Sequence, residues 1–223
     1  MERSYAESGE LVAEDLACRR GERLVFAGLG CRLPPGGALV LTGSNGSGKS
    51  SLLRLFATLL APASGELLWN GAPVARDASR YRVLVHYVGH LDATKPNLTA
   101  REMLSFWAAL GGMARPAVDE ALDAFGLGGV AERPSGWLSA GQRRRLVLAR
   151  LVAAPAPIWL LDEPTAALDG DGEAQLLSLI AEHRAAGGRV AIATHQPLAL
   201  GDAVAIMLDD FAAPTAAALA GLW

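Results

Sequence analysis

The segment Gly43-Ser44-Asn45-Gly46-Ser47-Gly48-Lys49-Ser50 constrains this chain more than any other, because it fits G-x-x-x-x-G-K-[ST] and lies between an apolar run and a helical pattern. Ala38 to Thr42 reads as a buried strand, and Leu52, Leu53, Phe56, Leu59 and Leu60 recur at helical spacing beyond the loop. A chain that passes from strand through glycines into a helix must leave the first helical N–H groups unpaired, with the positive end of the helix dipole behind them. The glycines allow the backbone to curl around a phosphate without Cβ clashes. Residues Gly43 to Ser51 are therefore the expected cradle for the phosphates of a nucleotide such as ATP. Lys49 is expected to supply a point charge between the β- and γ-phosphates, and the Ser50 hydroxyl to ligate Mg²⁺.

The 223 residues suit one α/β domain, or a core with a small inserted subdomain, and an apolar fraction of 51% is enough for a sizeable core. A net charge of −3 without a long Lys/Arg run disfavours nucleic acid as a partner. The densest basic cluster, Arg143-Arg144-Arg145, is expected to form a solvated helix face or a subunit contact. No apolar run reaches bilayer length, and Met1 to Glu7 lack the core of a signal peptide, so a cytoplasmic location is expected. Cys18 and Cys31 are far apart and form no CxxC, which favours buried or idle thiols over a metal or redox site.

Short strands are expected from Leu11 to Val40, with turns at Arg20 to Arg23 and Pro34 to Gly37. Pro62 to Gly65 turns the chain into Glu66 to Trp69, and Asn70-Gly71 is a hairpin signal. Val83 to Val88 is the next strand. From Thr99 to Leu151 the pattern turns helical, opening on a capping box of Thr99 and Glu102 ahead of Met103, Leu104, Trp107 and Leu110. Strands return at Ile158 to Asp162, Arg189 to Thr194 and Ala205 to Leu208, with a helix from about Gly172 to Ala186. This alternation predicts a parallel sheet covered by helices, interrupted by a helical insertion. The tail from Asp209 to Trp223 is alanine-rich and carries no structural expectation.

Two carboxylates, Asp162-Glu163, end the apolar run of Ile158 to Leu161. Asp162 is expected to hold Mg²⁺ through water and Glu163 to polarise an attacking water as general base. Leu138-Ser139-Ala140-Gly141-Gln142, just before a helix, supplies a second helix-terminus anion site. Here the chain closely resembles the ATP-binding cassette family, whose signature LSGGQ differs only at Ala140. The resemblance covers about Leu11 to Leu208 and implies a P-loop NTPase fold for residues 1–223: a RecA-like parallel-sheet core (1–88 and 157–223), a small N-terminal antiparallel β-subdomain and a helical subdomain at about 89–156. It also implies that Ser139, Gly141 and Gln142 close over ATP bound to a second copy of the chain, so that two nucleotides lie in a head-to-tail dimer. Asp169 resembles the family's D-loop aspartate, and His195 resembles the switch histidine that contacts the γ-phosphate.

Two positions depart from that pattern. The aromatic residue that usually stacks on adenine corresponds to Arg20 or a near neighbour, and arginine can also stack on a planar ring. The Q-loop glutamine corresponds to His90, which can meet a metal-bound water when neutral but also titrates; a bland reading, with water filling the role, stands beside it. His86 lies four residues from His90, yet on a strand and loop the two need not share a face, so a metal pair is not expected.

The segments Gly89 to Thr99, Leu138 to Leu146 and Thr194 to Leu198 resemble, more narrowly, ATP-binding subunits of the haem exporters used in cytochrome c maturation. That resemblance implies integral membrane permease partners, a peripheral position on the cytoplasmic face of the membrane, and ATP hydrolysis coupled to haem delivery or release of a haem-loaded chaperone. Alternatives are an exporter ATPase for another cargo, such as lipoprotein or drug, and a soluble cassette ATPase acting on nucleic acid; the latter usually carries two cassettes. Phe106, Trp107 and Trp137 suit either a docking surface for a membrane subunit or the core, and the core is the expectation.

Overall fold

The computed structural model describes residues 5, 9–90, 93–110 and 116–212; the tail beyond 212 and Leu91-Asp92 of the His90 segment lie outside them. Leu11–Arg20 (β1) and Arg23–Leu33 (β2) form one long antiparallel hairpin, where the sequence suggests several short strands. Glu14-Asp15 breaks the polar/apolar alternation, but register shifts around it, with Asp15 at φ 51°, absorb the break without ending the strand. Ser64–Trp69 (β4) pairs with β1, and Asn70-Gly71, at φ 55° and 74°, turns it tightly into Ala72–Pro73 (β5). This gives an antiparallel sheet in the order β2-β1-β4-β5.

The second sheet is wholly parallel. It comprises Ala38–Thr42 (β3), Val85–Val88 (β6), Ile158–Asp162 (β7), Arg189–Ala193 (β8) and Val204–Met207 (β9), in the order β6-β7-β8-β3-β9. Strand β6 starts later than its apolar run, because Val83 closes the short helix Ala78–Arg82 (α2) and is exposed. Strand β7 is buried throughout, and its alternate residues feed two cores. Ile158 and Leu160 join the β-hairpin and helix Lys49–Phe56 (α1), whereas Trp159 and Leu161 join the helical side. Helix α1 is shorter than its pattern: Thr58, at φ 55°, turns the chain out, and Leu59 is left exposed.

On the helical side, Ala100–Leu110 (α3), Pro116–Ala124 (α4) and Ala140–Ala153 (α5) pack through Met103, Leu104, Val118, Leu122, Leu146 and Val147 onto Gly170–Ala185 (α6) and the sheet. The α3 capping box is formed: Thr99 N donates to Glu102 Oε2 at 2.8 Å, and Glu102 N to Thr99 Oγ1 at 3.1 Å. The aromatic residues divide. Trp107 packs against this core with the Arg150 guanidinium 5.7 Å from its ring, as expected. Phe106 and Trp137, 47% and 80% exposed, do not. Phe106 faces out beneath Lys95, and Trp137 ends a 3₁₀ turn, Ser135–Trp137, with no core behind it. The basic cluster also departs from expectation, because Arg144 is buried. Cys18 and Cys31 are free, and burial raises both thiols, that of Cys31 to about 12, which keeps them protonated and inert.

Candidate functional site

Parallel strands align their carboxyl ends, and the loops leaving β3, β6, β7 and β8 converge at one edge of the sheet. There they enclose a cleft of about 570 Å³, lined by Asn45, Gly46 and Gly48 to Ser51 from the first loop, His90 from the second, Asp162, Glu163 and Ala166 from the third, and His195 from the fourth. Arg20, Arg23 and Val25 from the β1–β2 hairpin close the remaining wall.

The loop before α1 is built as its glycines require. Gly48 caps the helix at φ 109° with no side-chain cap, and a Cβ there would lie 2.8 Å from Phe26 Cδ1 and 2.9 Å from Val25 Cγ1. The first amides of α1 are thus left open toward the cleft. The Lys49 ammonium, almost buried, donates to the carbonyls of Gly43 at 2.7 Å and Ser44 at 3.0 Å. Gly43, Ser44 and Ser47 do not line the cleft; Ser44 instead turns to Asp209, its N–H donating at 2.8 Å and its hydroxyl at 2.6 Å. Those bonds hold the Asp209 carboxyl below the usual carboxylate range.

Ser50 Oγ donates to Asp162 Oδ1 at 3.0 Å, bringing a hydroxyl and a carboxylate together where the loops from β3 and β7 meet. These are hard oxygen donors that suit a cation such as Mg²⁺, which keeps most of its water. Glu163 stands at φ 47°, a left-handed conformation unusual for a residue with a side chain. Its N–H donates to Ala193 O at 2.8 Å, and its carbonyl accepts from Ala166 N at 3.1 Å and Arg144 Nη2 at 2.7 Å. Its Oε1 lies 3.4 Å from His195 Nε2, with the histidine about half exposed. His86 is not part of this group: it is partly buried, with its ring nitrogen bonded to Ala154 O, and desolvation lowers its pKa to about 4.

The signature segment lies elsewhere. Ser139, Gly141, Gln142 and Asp169 are absent from the cleft lining. Ser139 and Gln142 cap α5 reciprocally: Gln142 N donates to Ser139 Oγ at 3.2 Å and Ser139 N to Gln142 Oε1 at 3.0 Å. Asp169 caps α6 by accepting from Gly172 N at 3.0 Å and pairs with Arg145 at 2.6 Å; Arg145, chiefly, holds its carboxyl below the usual range. Sequence reasoning passed over Arg23, Arg144 and Asp209. Only Arg23 had a signal: in a tight hairpin it must stand opposite Arg20, as the register confirms.

A strand–glycine loop–helix on a parallel sheet, with lysine, serine and paired carboxylates in one cleft, defines a nucleoside-triphosphate-binding domain. Comparison narrows the class. Residues 26–166 match the family described as ABC transporter. The chain is 58% identical over 210 residues to the cytochrome c biogenesis ATP-binding export protein CcmA of Rhodospirillum rubrum, covering 94% of this chain and 90% of that protein. It is 54% identical over 204 residues to the protein of the same name from Paramagnetospirillum magneticum, covering 90% and 94%. A structure from Pyrococcus furiosus, provisionally described as an ABC transporter ATP-binding protein, superposes with a TM-score of 0.81 at 25% identity, covering 92% of this chain and all of that one. The chain belongs to the ABC transporter family, as an ATP-binding, ATP-hydrolysing member.

Proposed function

We propose that this chain powers an exporter serving cytochrome c maturation, driving haem delivery or release of a haem-loaded chaperone across the membrane. The reading is carried by the extent of its likeness to relatives named for cytochrome c biogenesis export. Within the cleft, the open amides of α1 and Lys49 bind the β- and γ-phosphates, the whole loop from Gly43 to Ser51 giving the cradle its shape. Arg20 stacks on adenine. Ser50 and Asp162 hold Mg²⁺, which when bound neutralises phosphate charge. The Glu163 carboxylate takes a proton from water as its oxygen attacks the γ-phosphorus and the bond to the leaving ADP oxygen breaks. His195 contacts the γ-phosphate and His90 orients a water in the cleft. Their joint presence with Glu163 in one cleft supports these roles.

Ser139, Gly141, Gln142 and Asp169 serve the nucleotide of a second copy of the chain, a reading supported by their absence from the lining of the chain's own cleft. The α/β core spans residues 1–88 and 157–223, and the helical subdomain about 89–156. No helix among the described residues is long and apolar enough to cross a membrane, so export requires integral membrane permease partners. The chain sits peripherally on the cytoplasmic face, and exposed Phe106 and Trp137 support a docking surface on the helical subdomain. Cells carrying Glu163→Gln should assemble the complex and lose holo c-type cytochromes while b-type cytochromes persist, as measured by haem-stained gels and difference spectra. Normal c-type cytochromes with a different export defect would overturn the haem assignment.

A further inference from the structure

Arg144 is 2% exposed and bridges two segments of the cleft wall from helix α5. Its Nη1 donates to Gly89 O at 3.0 Å, its Nη2 to Asp162 O at 2.9 Å and Glu163 O at 2.7 Å, and its Nε to Pro164 O at 3.2 Å. Every one of these acceptors is a main-chain carbonyl, and every one adjoins or belongs to a residue aimed at the cleft. Gly89 precedes His90; Asp162 and Glu163 are the paired carboxylates; Pro164 follows them.

A guanidinium is a rigid planar fork of five donors, so four simultaneous bonds fix the acceptors relative to one another as a flexible lysine cannot. The effect matters most at Glu163. Its left-handed φ of 47° is unfavourable for a residue with a side chain and persists only where surrounding bonds determine it. Ala193 O holds the Glu163 N–H on one side, and Arg144 holds the carbonyl on the other. Released, the peptide would relax and turn Oε1 away from His195. The same guanidinium sits one turn beyond the Ser139–Gln142 cap, on the helix whose N-terminus is assigned above to the partner's nucleotide.

We propose that Arg144 is a positioning residue for hydrolysis: it sets the backbone of Glu163 from helix α5, making the catalytic geometry a function of where α5 lies. The proposal rests on Glu163 being the water-polarising group. It separates from a plain packing role because the nucleotide-binding loop receives no bond from the four described, so catalysis should fail while nucleotide binding survives.

The test uses the full-length chain in four forms: unmodified, Arg144→Lys, Glu163→Gln and the double variant. Arg144→Lys, which keeps the charge but not the fork, should lower kcat about 10- to 100-fold, with KM and the dissociation constant for a fluorescent ATP analogue within about threefold of the unmodified values. Because Arg144 acts through Glu163, the double variant should hydrolyse ATP in single turnover at the Glu163→Gln rate, the two losses failing to multiply. Arg144→Met, lacking all four bonds, should lose more than Arg144→Lys at similar analogue affinity; if it does not fold, the lysine series decides alone. Unchanged kcat in Arg144→Lys, losses that multiply, or a parallel loss of nucleotide affinity would overturn the proposal. Full activity in Glu163→Gln would instead sink the catalytic assignment beneath it.

Discussion

Two helix N-termini in this protein are treated in opposite ways. Helix α1 begins at a glycine with no side-chain cap, its amides open to the cleft, whereas α5 begins at Ser139 with a complete reciprocal box. Both ends carry the same partial positive charge, so the dipole alone does not distinguish them. What differs is whether the protein's own side chains occupy the donors. The first terminus is ready for an anion. The second is satisfied without one, and on the proposed reading it would exchange Ser139 and Gln142 for phosphate oxygens of a nucleotide held by another copy. One terminus is open and the other is closed by its own side chains.

The most damaging way to break this contrast is at Gly48. In Gly48→Ala the new methyl would press on Phe26 and Val25 at a φ that disfavours side chains, and nucleotide affinity should fall roughly 10²-fold or more. An equilibrium titration with fluorescent ATP measures this; unchanged affinity would mean the open terminus is not the phosphate site. Lys49→Ala should weaken the same affinity about 10- to 100-fold, the worth of a charge-assisted contact. Ser139→Ala should leave single-copy affinity intact while lowering steady-state hydrolysis about tenfold and costing about 1 kcal/mol of stability from the lost cap. Equal loss of monomer affinity would merge the two termini into one site.

Asp209→Asn should have the smallest effect, and it sharpens the contrast through pH. Hydrogen bonds from Ser44 lower the folded pKa of Asp209, so its anchorage of the α1 loop is complete above the ordinary carboxylate range and is lost as pH falls through that lowered value. The α5 box is uncharged and has no such limb. Thermal melts of Asp209→Asn should be lower by roughly 1 to 3 °C near neutrality and converge on the parent in acid. A constant offset at all pH values would assign the loss to something other than the carboxylate.

The open terminus was legible because its chemistry is local. Strand, glycines, lysine and helix follow one another within some twenty residues, and the Asn70-Gly71 turn and Thr99–Glu102 box were equally self-contained. The paired carboxylates were legible as an apolar strand running abruptly into charge. What could not be read depended on distant partners. Arg144 looks like one member of an exposed basic triplet until β7 and the segment before His90 are packed against it. Asp209 meets Ser44 across 165 residues of sequence, with no periodicity to announce it. The end of α1 failed in a different way: Leu59 continues the helical spacing, but Thr58 leaves the helix before it. The signature's identity was readable only through family resemblance, since a capped helix start is by itself an ordinary structural device.

The paired arginines at the tip of the β1–β2 hairpin give the cleft a kinetic character that net composition conceals. The chain as a whole is anionic, at −3, and would repel a nucleotide at long range, yet Arg20 and Arg23 stand opposite each other in the wall of the cleft that Lys49 also lines. A polyanion is drawn in only once it comes within about a Debye length, roughly 8 Å at physiological salt. Encounter is consequently gated by the hairpin tip, and rising ionic strength slows capture more than it hastens escape. The hairpin thus governs how often the cleft is filled, leaving the other lining residues to govern what happens afterwards.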